Sequence, residues 1–227
     1  GASRVVLARE LSLEEVRQIR QQTPPQLELE AFVHGAICMS YSGRCVISNY
    51  LADRDANHGE CAQPCRWKYQ IVEETRPGMP LTLEQDEGGT YLFNANDMNM
   101  IAHVADLANA GVASFKIEGR AKSSYYTAVV TNAYRQAIEG FMASGCAQDY
   151  VPEAWVQQEV MKVSHRPYGT GFYYGMPAQH LQQGGYIRSY ELAAVVEDWA
   201  DGWLRVSQRN RYFVGEPTDA LPPDGKP

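Results

Sequence analysis

Apolar and polar residues alternate through Leu27-Glu28-Leu29-Glu30-Ala31-Phe32-Val33, the period of two that a half-buried strand requires. An apolar run at Val5-Val6-Leu7-Ala8 predicts an earlier strand over 5–9, buried on both faces. Between them the period changes. Leu13, Val16 and Ile19 share one helical face, Ser12 with Glu15 three residues later makes a capping box, and Thr23-Pro24-Pro25 stops the helix. Strand, helix and strand in this rhythm predict a parallel α/β unit.

Further along, Ala113 to Glu118 predicts another strand. Asn96 or Asp97 is expected to cap a helix through Ala108, ended by Asn109-Ala110-Gly111. Ser123 is expected to start a long helix over 124–141, with Tyr126, Val130, Tyr134 and Ile138 inward. Short strands are expected between Leu81 and Leu92, around Gly88-Gly89. Residues 38–80 are rich in Gly, Pro, Asn and Asp and read as a long functional loop. Beyond Tyr150, glycine and tyrosine become dense, and alternation over 190–197 and 202–211 predicts short strands. Gln179 to Gly185 is polar enough for a mobile loop.

The expected fold class is α/β. It is a partial (β/α) TIM-like barrel over 1–148 carrying a cysteine-rich loop, then a small barrel-like all-β domain over 149–227. The start in a strand pattern, without a methionine, and the end soon after a strand predict a fragment. Exposed sheet edges would then call for an oligomer or a missing N-terminal barrel segment.

The loop carries the chemistry. Cys38, Cys45, Cys61 and Cys65 are separated by six, fifteen and three residues, while Cys146 lies far off and reads as a bystander. Four nearby thiols can hold one metal centre, form two disulfides, or do neither. No secretory signal opens the chain, which favours metal over disulfides. Paired CxxC knuckles, the usual zinc signal, are absent, and uneven spacing suits an iron–sulfur cluster better. Zinc and free or redox thiols stay open.

The flanking residues carry a resemblance. Glu30, Phe32, Gly35, Ala36, Ile37 and Cys38, then Gly43, Cys45, Ile47 and Ser48, are similar to the signature of the collagenase-like peptidase family of U-32 type. Gly59-Glu60-Cys61, Pro64-Cys65-Arg66 and Lys116-Ile117-Glu118-Gly119-Arg120 also resemble it. The wording is most similar to the branch implicated in 5-hydroxylation of the tRNA wobble uridine. The resemblance covers about residues 4 to 215. It implies a bacterial-type iron–sulfur enzyme, with a 4Fe-4S cluster on Cys38, Cys45, Cys61 and Cys65 as metal ligands. It also implies tRNA as substrate, prephenate or another small anion as a further ligand, and an unidentified electron donor. A collagenase-like peptidase is the rival reading, and a non-catalytic RNA-binding fragment the third.

Glu30, His34 and Glu118 are the candidate catalytic residues, since carboxylates and an imidazole at a barrel rim can move protons. His34 is expected just beyond the strand that holds Glu30. Lys116 and Arg120 are the candidate substrate-binding residues, with Arg120 suited to a carboxylate or phosphate. Lys122 reads as solvated. No H-E-x-x-H or G-x-S-x-G motif supplies a proteolytic mechanism. Arg205, Arg209 and Arg211 beside Trp203 and Tyr212 could stack on bases, though a solvated strand face is commoner.

Composition changes this picture little. Hydrophobic residues at 44% and charged residues at 21% fit a globular chain. No apolar run approaches the ~20 residues of a membrane helix, so a cytoplasmic protein without a membrane partner is expected. A net charge of −7 argues against broad, non-specific nucleic-acid binding but leaves room for a local basic site.

Overall fold

The computed structural model describes residues 1–38, 40–67, 85–86, 89–90, 95–120, 122–177 and 186–222. The stretch expected to be mobile, 179–185, lies outside them.

Elements follow in the order β1 (Arg4–Val6), α1 (Leu13–Gln22), β2 (Glu28–Ala36), α2 (Ile47–Ala52), β3 (Gln85–Asp86), β4 (Gly89–Thr90), β5 (Asp97–Asn99), α3 (Val104–Asn109), β6 (Val112–Ile117), α4 (Ser124–Ala143), α5 (Ala154–Glu159), β7 (Tyr168–Gly169), β8 (Ala194–Ala200) and β9 (Trp203–Gln208). The fold is mixed α/β. Both β1 and β6 pair parallel with β2, as a strand–helix–strand rhythm demands. β5 pairs antiparallel with the end of β2, and β7 pairs parallel with β5, completing a five-stranded sheet. His34 has partners in both β5 and β6, so these strands flank β2 on opposite edges. Among the described residues the sheet does not close into a barrel.

Local signals explain the helices. At α1, Ser12 accepts from the Glu15 backbone and the Glu15 carboxylate accepts from the Ser12 backbone, the reciprocal box read from sequence. Ser123 caps α4 by accepting from Tyr126 N–H. Tyr126, Val129, Val130, Ala133, Tyr134, Ala137 and Phe141 repeat at three and four residues along α4 and are all buried. That stripe packs with Leu29, Ala31 and Val33 of β2 in one core.

Several expectations are corrected. Asp97 does not cap a helix; Asp97–Asn99 is a strand, drawn out by pairing with residues 34–36, and α3 begins only at Val104. That pairing also lengthens β2, so His34 lies inside the strand rather than beyond it. The first strand spans Arg4–Val6, and its Val5 and Val6 are 40% and 46% exposed, because among the described residues β1 pairs only with β2 and forms an edge. Ile138 is only half-buried.

Past residue 149 the chain follows two courses. α5 packs on α4, β7 joins the main sheet and Tyr173 enters the core. β8 and β9 form a separate two-stranded hairpin, with a register shift between Val196 and Asp198. Val196, Trp199 and Leu204 on it are exposed.

Candidate active site and cysteine loop

The cysteine loop leaves the sheet at the end of β2. Cys38 follows Ala36 by two residues and is exposed; Cys45, Cys61 and Cys65 are partly buried, and no disulfide forms among the described residues. Polar clasps order the loop. The Asn57 side chain accepts from Cys45 N–H at 3.1 Å and donates to the Cys45 carbonyl at 3.0 Å. Asp55 caps the turn that carries Asn57. Ser48, wholly buried, accepts from Ala62 N–H at 3.0 Å. Gln63 takes a left-handed φ of 57° and its N–H points to Cys61 Sγ at 3.3 Å.

An N–H donated to sulfur is the interaction that stabilises a thiolate ligand, so the donors fit an iron–sulfur cluster in kind. Their placement is looser. Among the described residues no three Cys, His, Asp or Glu side chains converge closely enough to hold a metal.

Arg120 and Glu118 join this loop to the sheet. The Arg120 guanidinium donates to the Gly59 carbonyl, two residues before Cys61. The Arg120 backbone N–H donates to Glu118 Oε1 at 2.9 Å, and Glu118 N–H donates to the His34 carbonyl at 2.8 Å. Arg9 completes the group. It sits 3.3 Å from Glu118, donates to the Ala36 carbonyl at 3.2 Å and lies 3.8 Å over the Phe32 ring. Sequence reasoning missed Arg9. The available signal was its place just after an apolar strand run, the position where parallel sheets present functional side chains.

Glu30 and Lys116 meet elsewhere, lower on the sheet. Their charged atoms are 3.6 Å apart, and Glu30 also accepts from Ser114 Oγ at 2.8 Å and reaches Arg4. The Ser114 hydrogen bond, with Lys116 and Arg4, holds Glu30 below the usual carboxylate range. Glu30 and His34 are four residues apart on one strand, about 13 Å along it, and the structure does not bring them together.

His34 is 1% exposed. Its Nε2 is 3.2 Å from Tyr168 Oη and its Nδ1 3.4 Å from Tyr134 Oη. Burial, with His165 and Lys122 nearby, pulls its pKa from 6.5 to about 3. The ring is therefore neutral at physiological pH. A group held neutral in the fold but free to protonate once unfolded contributes stability fully above pH 6.5. That contribution is lost as pH falls from 6.5 toward 3, by up to ~1.4 kcal/mol per pH unit. Urea midpoints of wild type and His34→Gln between pH 7 and 4.5 test this: the wild-type slope is expected to be the steeper.

Around His34 lies a buried polar cluster. Lys122, expected to be solvated, is only 13% exposed, stands 3.8 Å from Asp97 and donates to the Ser164 carbonyl. Tyr134 Oη donates to the Val33 carbonyl at 2.7 Å and accepts from Met100 N–H at 3.0 Å, whereas Tyr126 Oη is buried without a partner among the described residues. Met100 N–H also donates directly to the Val33 carbonyl at 3.0 Å, so Tyr134→Phe loses two hydrogen bonds without stranding either backbone group. It is expected to cost about 1–3 kcal/mol, while Tyr126→Phe is expected to stay within about 1 kcal/mol of wild type. Chemical denaturation of the two variants decides it.

Arg205 is 71% exposed and faces Glu197 at 3.8 Å and Asp198 at 3.7 Å, so its charge is partly offset on the hairpin. No helix among the described residues is long and apolar enough to cross a membrane.

Comparison with known proteins fits this arrangement. The chain is similar to tRNA hydroxylation protein P of Escherichia coli, 35% identical across 99% of this chain and 58% of that protein. It is 39% identical to the 23S rRNA 5-hydroxycytidine C2501 synthase of Escherichia coli over 63% of this chain and 20% of that one. It is 35% identical to a collagenase of Porphyromonas gingivalis over 75% of this chain and 42% of that one. The chain thus spans little more than half the length of the first of these relatives. No solved structure matches it. The family model for peptidase family U32 matches residues 1–183, taking in the cysteine loop, the Arg9–Glu118–Arg120 group and the His34 cluster, and the chain belongs to that family.

Proposed function

We propose that this chain is part of a tRNA-modifying enzyme that adds a hydroxyl to C5 of the wobble uridine. The observation that carries this reading is the similarity, across 99% of the chain, to a protein named for tRNA hydroxylation. The relative named as a 5-hydroxycytidine synthase supports the same chemistry, since it too concerns a hydroxylated pyrimidine. The sheet is read as part of a (β/α) barrel, with its functional groups at the strand ends.

Cys38, Cys45, Cys61 and Cys65 would hold an iron–sulfur cluster. Such a cluster, when bound, supplies one-electron chemistry. The chain's own residues prepare the place. Asn57 fixes the backbone of Cys45, Gln63 N–H stabilises the Cys61 thiolate, and Arg120 ties Gly59 to the end of β6. Glu118, ion-paired to Arg9 and accepting from the Arg120 backbone N–H, is the proton-handling candidate beside the loop. Glu30 and His34 are the further proton-handling candidates, and Lys116 and Arg120 the anion-binding ones. tRNA is the macromolecular partner, a small anion such as prephenate the further ligand, and the electron donor is unidentified.

The test has two parts. Anaerobically purified protein is expected to carry stoichiometric iron and sulfide with broad visible absorption. Cells lacking the endogenous activity but supplied with the gene are expected to gain one oxygen atom on the wobble uridine, read by nucleoside mass spectrometry. Colourless protein and unmodified tRNA would sink the reading. Similarity to a collagenase keeps peptide hydrolysis as the second reading. Cleavage of denatured collagen by metal-free protein, lost in Glu118→Gln, would favour it.

A further inference from the structure

The turn after β1 carries two oppositely charged residues side by side, Arg9 and Glu10, and both reach the cysteine loop. Arg9 holds the strand side. Its guanidinium donates to the Ala36 carbonyl at 3.2 Å, two residues before Cys38. Glu10 holds the loop side. One oxygen of its carboxylate accepts from Ser42 N–H at 2.8 Å and from Ser42 Oγ at 3.2 Å. Ser42 lies four residues after Cys38 and three before Cys45. Cys38 is therefore bracketed by contacts from two neighbouring side chains.

That turn stands on a firm base. On one side Leu7 is buried, and its N–H extends the β1–β2 pairing by donating to the Glu30 carbonyl at 2.8 Å. On the other, Ser12 caps α1, and the buried Leu13 donates its N–H to the Tyr173 carbonyl at 3.1 Å. The two side chains suit the task chemically. A guanidinium serves two acceptors in fixed directions, here the Ala36 carbonyl and Glu118, where an ammonium is a point charge. A carboxylate that accepts a backbone N–H makes a charge-assisted bond, stronger than one between neutral groups. Through Glu118 the same guanidinium leads on to Arg120 and Gly59, two residues before Cys61. Ser42 is exposed, so its bond to Glu10 adds nothing to the core. What that bond fixes is the path of the chain between the first two thiols.

We infer that Arg9 and Glu10 are positioning residues for the cysteine loop, holding Cys38 in a set place at the end of β2. Neither touches the metal; each acts through the backbone on one side of the thiol. The inference rests on the cysteine loop being the metal-binding part of the proposed enzyme, and it assigns what keeps that loop in place.

The first readout needs no metal. A nitroxide is attached to Cys38 in the full chain, with the other four cysteines changed to serine, and its mobility is read by electron paramagnetic resonance. Glu10→Ala and Arg9→Lys are expected to sharpen the spectrum. Glu10→Gln keeps an acceptor oxygen and should stay near wild type. Glu14→Ala is the control, because that carboxylate faces Arg17 and Gln18 on its own helix. The thermal midpoint of Glu10→Ala should stay within about 2 °C of wild type, as for other surface changes. The second readout uses anaerobically loaded protein with all its cysteines, and follows the loss of visible absorption in excess chelator. Glu10→Ala and Arg9→Lys are expected to release iron about tenfold faster, as loss of one charge-assisted hydrogen bond predicts, and Glu10→Gln no more than about threefold faster. Label mobility unchanged in both Glu10→Ala and Arg9→Lys would overturn the inference. Equal sharpening in Glu14→Ala would overturn it too, since the loosening would then be general. If the label responds as expected but wild type binds no iron, the positioning of Cys38 stands and the cluster reading fails.

Discussion

Gly35→Ala is expected to lower the thermal midpoint by about 4–20 °C. Gly35 has a φ of +113°, where an L side chain is strained, and its Cβ would meet the Glu118 carbonyl oxygen at 2.4 Å and the Glu118 Cβ at 2.9 Å. The obstacle is backbone rather than the tip of a flexible side chain, so β2 and the end of β6 must part. Overpacking of this kind costs about 1–3 kcal/mol, and the left-handed conformation adds about 1–2 kcal/mol. In a chain of this size each kcal/mol moves the midpoint by about 2–4 °C. Gly43→Ala is the control: its φ is +74°, but nothing lies within 4 Å of the new Cβ, so only the conformational part remains. A Gly35→Ala protein as stable as Gly43→Ala would show that the strand ends are not packed as described. The same change should loosen the Arg120 tie to the cysteine loop, because Arg120 hangs from Glu118.

Cys45→Ser is expected to reduce bound iron and sulfide to near background, and with them tRNA hydroxylation. Cys45 is the thiol whose backbone is pinned from both sides by one side chain, so its position is the best defined in the loop. Asn57→Ala separates ligation from positioning. It keeps all four thiols but frees the Cys45 backbone, and is expected to load partly and lose iron faster to a chelator. Iron analysis and the chelation rate read this without any assay of activity. Full loading of Cys45→Ser would exclude Cys45 as a ligand, and Cys38, Cys61 and Cys65 would then need a different fourth partner. Chelation kinetics of Asn57→Ala equal to wild type would remove the clasp from the argument.

The parts of this fold that were legible in the sequence are those set by local chemistry. Ser12 and Glu15 cap α1 whatever surrounds them, Ser123 caps α4, and the alternation through Leu29, Ala31 and Val33 is the core face of β2. The parts that were not legible depend on distant partners. Asp97 looks like a helix cap, but residues 34–36 recruit it into a strand, and nothing near Asp97 in sequence announces that. Val5 and Val6 look like a buried strand, and only the pairing pattern shows that β1 lies at an edge. The candidate site divides the same way. The cysteine loop and Arg120 stood out by spacing and residue type. Arg9 escaped notice because one arginine after a short apolar run is ordinary until Glu118 arrives beside it from more than a hundred residues away. Lys122 was misjudged for a similar reason: its burial comes from Asp97, Ser164 and the rings of Tyr126 and Tyr186.

The placement of the tryptophans decides how this protein can be watched as it unfolds. Of four, Trp199 and Trp203 sit on the β8–β9 hairpin at 66% and 80% exposure, Trp67 is 44% exposed, and Trp155 alone is half-buried. Their emission already comes largely from water-facing indoles in the native state, so denaturant will shift it little. The tightly packed rings are tyrosines, with Tyr126 and Tyr134 wholly enclosed and Tyr168 stacked on a histidine. Near-ultraviolet circular dichroism, which senses immobilised tyrosine, will follow the core, while tryptophan fluorescence will follow the hairpin, and the two curves need not coincide.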